Sequence, residues 1–462
     1  MKKIVCLIMA LAIGASITGC SGEKTTKDTD KIEITVGNWP DKNANPSLYE
    51  QWEGIRADYM SSYPNINVER DTWSFTIDSF LPKAAGNQLP TVFRIPYTEI
   101  DKVIDAGYAA DLTDKMKEYG YTDNLNDQML NILQKDGKIY MIPINMYAMG
   151  LVGNRKVFKE AGLLNDDGTI PYPKTLDELA VLAGKIKEKT GKAGFILPTM
   201  KNHGGWNFLS IAWAYGVDFM EKENGKWVAK FNSQEFVDAL QFVYDLKWKY
   251  DALSDNALID GKEAQKMLAG GQSALYIAPS DVFGALVSEY GMDKDAVSIG
   301  KIPAGPKGQY ALMGGNLYMV PKYASEGQID AVFKWAEAMG HTPNRTDAAE
   351  KSVEETCKND NEQNYVVIER EPFKIYKSGD MNDFKDSVMK KYANVNVDYY
   401  KEYFDMENVQ IKAEEPINCQ QLYSILDNCI QSILTNENID LKQLAASAAS
   451  DFQKNYLDNV SY

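Results

Sequence analysis

Histidine is scarce in this chain: two in 462 residues, His203 and His341, and neither stands in an HExxH motif or beside a cysteine. A histidine-built metal centre therefore lacks its material, and no metal or cofactor is expected. Cysteine is nearly as rare. Of five, Cys6 and Cys20 lie at the N-terminus, leaving Cys357, Cys419 and Cys429. An odd number without CxxC spacing supplies no disulfide framework, and a Cys419 to Cys429 bridge and three buried thiols both stay open. No run approaches 18 apolar residues, which removes membrane-spanning helices. Positive charge is in deficit, with 49 Lys plus Arg against 65 Asp plus Glu and a net charge of −16. That balance disfavours phosphate backbones, so nucleic acid is not an expected partner. Motifs for common chemistries are missing too. The segment nearest a P-loop, Gly184 to Ala193, has the wrong glycine spacing and an alanine where Ser or Thr must hold magnesium; GxGxxG and GxSxG do not occur.

What is present begins with an address. Lys2 and Lys3 precede an apolar run, Ile4 to Ile13, too short to span a bilayer. It leads to Ile17-Thr18-Gly19-Cys20, which resembles the lipobox of bacterial lipoproteins. The resemblance implies a signal peptide over 1–19, diacylation of Cys20 and attachment to the outer face of the cell membrane, for which two acyl chains suffice. Ser21 to Lys31 contains no aliphatic or aromatic residue, so 20–31 reads as a lipidated cysteine and a solvated tether.

The remaining chain is 44% hydrophobic over the whole sequence and longer than one core of about 250–300 residues supports, so two lobes are expected. Ile32, Ile34 and Val36 alternate as a strand. Leu48, Trp52, Ile55 and Tyr59 recur at helical spacing up to Pro64, and Ile66 to Arg70 reads as the next strand. Thr175-Leu176-Asp177-Glu178 forms a capping box for a helix that Gly191 stops. Other helical stripes are Phe236, Leu240 and Val243; Ile329, Val332, Phe333 and Ala336; and Leu422, Ile425, Leu426, Cys429, Ile430 and Ile433. Strands alternating with helices imply an α/β fold of open sheets flanked by helices.

Several motifs follow in order: Phe80 to Pro90 (FLPKAAGNQLP), Ala106 to Thr113 (AGYAADLT), Gly137 to Pro143 (GKIYMIP), Asn154 to Phe158 with Ala161-Gly162-Leu163, Pro173 to Leu179 (PKTLDEL), Gly261 to Gly270, Ile302 to Gly308 (IPAGPKG) and Gly314-Gly315-Asn316. Together they resemble the family 1 extracellular solute-binding proteins, the substrate-binding subunits of bacterial sugar importers. Thr91 stands where that family usually has Asp. The resemblance implies a periplasmic-binding-protein-like fold, with two α/β lobes joined by a multi-segment hinge around an interlobe ligand cleft. It places one lobe at 32–143 plus 302–342 and the other at 144–301 plus 343–462, with crossings after Pro143 and near Ile302. It also implies a carbohydrate ligand, delivery to membrane permease subunits of an ABC importer, a separate ATPase, and no catalysis.

A sugar offers a C–H face and a rim of hydroxyls, so its site needs aromatic faces and planar polar groups. Aromatic and polar residues at strand ends and loops meet that description. These are Asn38 and Trp39 after the first strand, Trp73 after the second, Arg94 and Tyr97 past the third, Asn145 and Tyr147 at the first crossing, Trp206 in a glycine-rich loop, Asp281, and Asn316. Trp52, Trp213, Trp248 and Trp335 read as core or helix-surface residues, and Trp227 as part of a hairpin arm. Several aromatics spread over both lobes favour an oligosaccharide. A surface glycoside-active enzyme using two carboxylates and a polysaccharide-binding adhesin are the competing readings.

Overall fold

A computed structural model describes residues 31–368 and 374–460. The expected signal peptide, Cys20 and most of the expected tether lie outside the described residues. The first strand, Ile32–Val36, pairs in parallel with Ile66–Arg70, from Ile32 opposite Ile66 to Val36 opposite Arg70. The helix between them, Pro46–Ser62, has proline in its first turn and an Asn45 side chain accepting from Leu48 N–H. It buries Trp52, Ile55 and Tyr59 of the expected stripe while Leu48, in its first turn, is exposed, and the Tyr59 hydroxyl donates to the Ala331 carbonyl at 2.8 Å.

One strand ties the molecule together. Met141–Asn154 runs for 14 residues, most of them buried, and at about 3.3 Å per residue it is long enough to serve two cores. Its first part pairs antiparallel with Tyr310–Met319, from Met141 opposite Met319 to Ala148 opposite Met313. From Met149 onward its partner is Ser273–Pro279, with Val297–Gly300 on the other side. Tyr310–Met319 also divides its pairing. Its later part lies against Phe93–Pro96, and its first residues run parallel to Gln410–Ala413.

The apolar clusters divide at the same places. One gathers Ile34, Trp39, Trp52, Phe80, Phe93, Met146, Met313 and Trp335. Another gathers Ala148, Phe158, Phe195, Phe208, Trp213, Leu240, Leu312, Leu422 and Phe452, with a neighbouring cluster around Tyr276, Phe283 and Tyr400. The second switch of partners falls near Leu312 and Met313. The stretch after residue 342 is shared as well. The helix Asp347–Glu362 is tied to the first cluster's side, where Gln51 Nε2 donates to Thr356 and Gln363 Nε2 to Ser47. These contacts join residues some 300 positions apart and leave no local signature.

Helix ends follow their sequence signals closely. Thr175 Oγ1 accepts from Glu178 N–H at 3.1 Å, and the helix Leu176–Thr190 ends at Gly191. The Glu178 carboxylate reaches back one residue further than expected, to Lys174 N–H at 2.7 Å. The Cys419 to Cys429 bridge does not form: both are buried free thiols, as is Cys357. They sit in one helix, Cys419–Thr435, where ten residues span about 15 Å, too far for a disulfide.

Candidate functional site

Between the two apolar clusters lies a groove with a cavity of about 860 Å³. Thr98, Glu99 and Lys102 line it from the first side, and Trp227, Asn418 and Gln420 from the second. Its neighbourhood is set by the crossing strands. Asn145 and Asn316 are paired across them, Asn145 Oδ1 accepting from Asn316 N–H at 2.9 Å and from Asn316 Nδ2 at 3.2 Å. Tyr97 closes on the same point, its hydroxyl donating to the Asn145 carbonyl at 3.3 Å. This approach requires Gly315, at φ 154°, because a Cβ there would stand 2.2 Å from that carbonyl and 2.6 Å from the Tyr97 ring.

Tyr147, two residues on, is half-buried, and its hydroxyl lies against Gly314. Burial raises its pKa above the ordinary tyrosine value, and the charges of Asp281 and Glu414 add to the rise. Asp281 follows the strand that ends at Pro279, while Glu414 follows Gln410–Ala413. Glu414 takes a hydrogen bond from the Tyr423 hydroxyl at 2.6 Å and another from Trp206. Its carboxyl is pushed up to about 7, first by burial and then by the charge of Glu99 from the opposite side of the groove.

Trp206 reaches this cluster from the first turn of the helix His203–Ala214, where a loop was expected. Glycines 204 and 205 sit inside that helix because it packs hard on its neighbour: a Cβ on Gly205 would meet the Tyr423 backbone at 2.4 Å. Asp427 of the neighbouring helix holds its start, accepting from Asn202 and Gly205 N–H groups, both at 2.7 Å. Tyr97, Asn145, Tyr147, Trp206, Asp281 and Asn316 thus gather around the junction of the crossing strands.

The other four predicted residues lie deeper in the first side. Trp39 is the clearest correction. It is only 3% exposed and packs edge-on to Trp52 at 5.2 Å and beside Trp335 at 6.0 Å, so it has no face to offer a ligand. Its position after a strand suggested a loop, but the helix Glu326–Ala338 closes over it. Asn38 adopts a left-handed backbone, φ 56°, and its side chain accepts from Arg94 N–H at 2.7 Å, fastening two strand ends. The Arg94 guanidinium stands 6.0 Å from the Trp52 ring, and its charge is felt by buried Tyr318 and His341. Trp73 is half-buried, donates to Ser79 Oγ at 3.1 Å and meets Phe93 edge-on. Glu99, Glu414, Tyr423 and Trp227 were not anticipated. Glu414-Glu415-Pro416 is the one local hint, and among 65 acidic residues it does not stand out.

Comparison with known proteins gives the architecture its context. The melibiose/raffinose/stachyose-binding protein MelE of Bacillus subtilis (strain 168) is 27% identical over 205 residues, which is 43% of this chain and 42% of MelE. The chain therefore spans about two fifths of that curated relative. Among solved structures, an ABC transporter solute-binding protein from Thermotoga lettingae TMO bound with alpha-D-tagatose aligns over 92% of this chain and 99% of its own, with 19% identity and a TM-score of 0.67. An ABC substrate-binding protein from Listeria monocytogenes in complex with cycloalternan aligns over 92% and 99%, with 17% identity and a TM-score of 0.66. These likenesses show the two-lobed fold of periplasmic-binding-protein type. The model of the bacterial extracellular solute-binding protein matches residues 45–343, most of the chain, and the chain belongs to that family.

Proposed function

We propose that this protein is the substrate-binding component of an ABC importer, capturing a carbohydrate between its lobes and passing it unaltered to membrane permease subunits. The supporting observation is the groove itself: it lies between two apolar cores joined by shared strands, with Thr98, Glu99 and Lys102 on one wall and Trp227, Asn418, Gln420 and Tyr456 on the other. Contacts from both sides are complete only when the lobes close, so ligand shifts the open to closed equilibrium that a permease senses. An oligosaccharide is favoured because the aromatics Trp227 and Tyr456 line the groove, and because the related MelE is named for raffinose and stachyose. The lipobox supports an anchor at Cys20 on the outer face of the cell membrane.

Uptake of radiolabelled raffinose and maltotriose by a strain lacking the protein tests this, with product release by the purified protein as the companion assay. Loss of uptake of a saccharide that the protein binds intact supports the proposal. Unchanged uptake points to an adhesin, and cleavage of the saccharide to an enzyme; either result overturns it.

A further inference from the structure

The groove is lined by four carboxylates, Glu99, Asp101, Asp105 and Glu415, against three lysines, Lys102, Lys135 and Lys222. Lys135 is bonded to Asp101 at 2.9 Å and Asp105 at 2.5 Å, and Lys222 lies 5.9 Å from the Trp227 ring. Glu99 is 8% exposed, and its Oε2 is buried without a hydrogen-bond partner, the nearest cation being Lys102 Nζ at 4.0 Å. The charge that acts on Glu414 comes from Glu99 across the groove, not from a cation, and Tyr147 feels both Glu414 and Asp281.

Above about pH 7, where Glu414 is ionised, a buried carboxylate oxygen accepts hydrogen bonds and donates none, so leaving it unpaired is costly until something supplies a donor. Sugar hydroxyls are such donors. A carboxylate, sulfate or phosphate on the sugar would bring further acceptors and a like charge into a poorly solvated site. Building on the carbohydrate reading, we propose that Glu99 and Glu414 make the cleft selective for uncharged, hydroxyl-donating saccharides and reject anionic ones.

The test is calorimetric titration at pH 8 with matched pairs, raffinose and maltotriose each against the derivative in which one primary alcohol is oxidised to a carboxylate. Like charges a few ångströms apart at intermediate dielectric predict that the uncharged member binds about 100-fold more tightly to the wild type. In Glu99→Gln combined with Glu414→Gln the gap should narrow to about 10-fold or less, since both repelling charges are gone. The wild-type comparison stands even if the double variant does not fold. Acidic and neutral members binding within about threefold of each other would overturn the selectivity while leaving carbohydrate binding intact, because a threefold ratio is too small for a like-charge contact. A wide gap that a folded double variant leaves unchanged would overturn the assignment to these two residues. Heat from neither member of either pair would count against the carbohydrate reading and this inference together.

Discussion

Two tryptophans, one past a strand end and one in the first turn of a helix, have opposite surroundings, and a substitution pair separates them. Trp39 is enclosed by Trp52 and Trp335, whereas Trp206 is half-buried and bonded to Glu414. Trp39→Ala should cost about 3–5 kcal/mol in denaturant unfolding, the range for emptying a large aromatic site. Trp206→Ala should weaken saccharide affinity by at least about 10-fold with a smaller loss of stability, as removal of an aromatic anchor does. Reversal of the two phenotypes would contradict the placement. Glu414 makes a second prediction. Its pKa rises from the ordinary 4.5 to about 7, so the folded chain holds a proton that the unfolded chain releases in that interval. The stability this proton contributes is complete below the unfolded value and is lost as pH rises through 7. Glu414→Gln escapes the loss, so its gain in melting temperature over wild type should be larger at pH 8 than at pH 5. Equal gains at both would show that the carboxyl is not buried as described.

At the level of elements, local patterns carried a good deal. The stripe from Leu422 to Ile433 lies in one helix with all but Ile425 buried, because 3.6-residue periodicity records which face meets a core. The Thr175 cap and Gly191 stop were legible for the same reason: they act within one turn. The start of the helix His203–Ala214 was not legible. Glycines ordinarily mark a loop, and here Gly205 answers to the Tyr423 backbone more than 200 residues away. Glu99 and Glu414 were hidden too, since only the crossing of the strands brings them into electrostatic reach. Gly315 tests that crossing. Gly315→Ala places a methyl against the Asn145 carbonyl and the Tyr97 ring, and overpacking of this kind costs about 1–3 kcal/mol. It should also weaken saccharide binding, because the Asn145 and Asn316 pair sits on the shifted strands. A variant with wild-type stability would refute the close approach.

For the whole molecule, composition and length suggested two cores, and the ordered motifs led to the family. What they could not supply was the path of the chain between cores. One strand changes partners between Ala148 and Met149, and its neighbour does so near Met313, so both lobes share a continuous hydrogen-bonded seam. Each core keeps its own side chains while the strands between them are shared. The central claim is that this groove captures an intact saccharide. Calorimetric titration of the wild-type protein with a panel of uncharged plant and starch oligosaccharides, alongside their constituent monosaccharides, tests it most directly. Saturable one-to-one heat from at least one oligosaccharide, abolished or much reduced by Trp206→Ala, is the predicted result. Heat from monosaccharides alone would contradict the oligosaccharide assignment, and no heat from any sugar would contradict the claim itself.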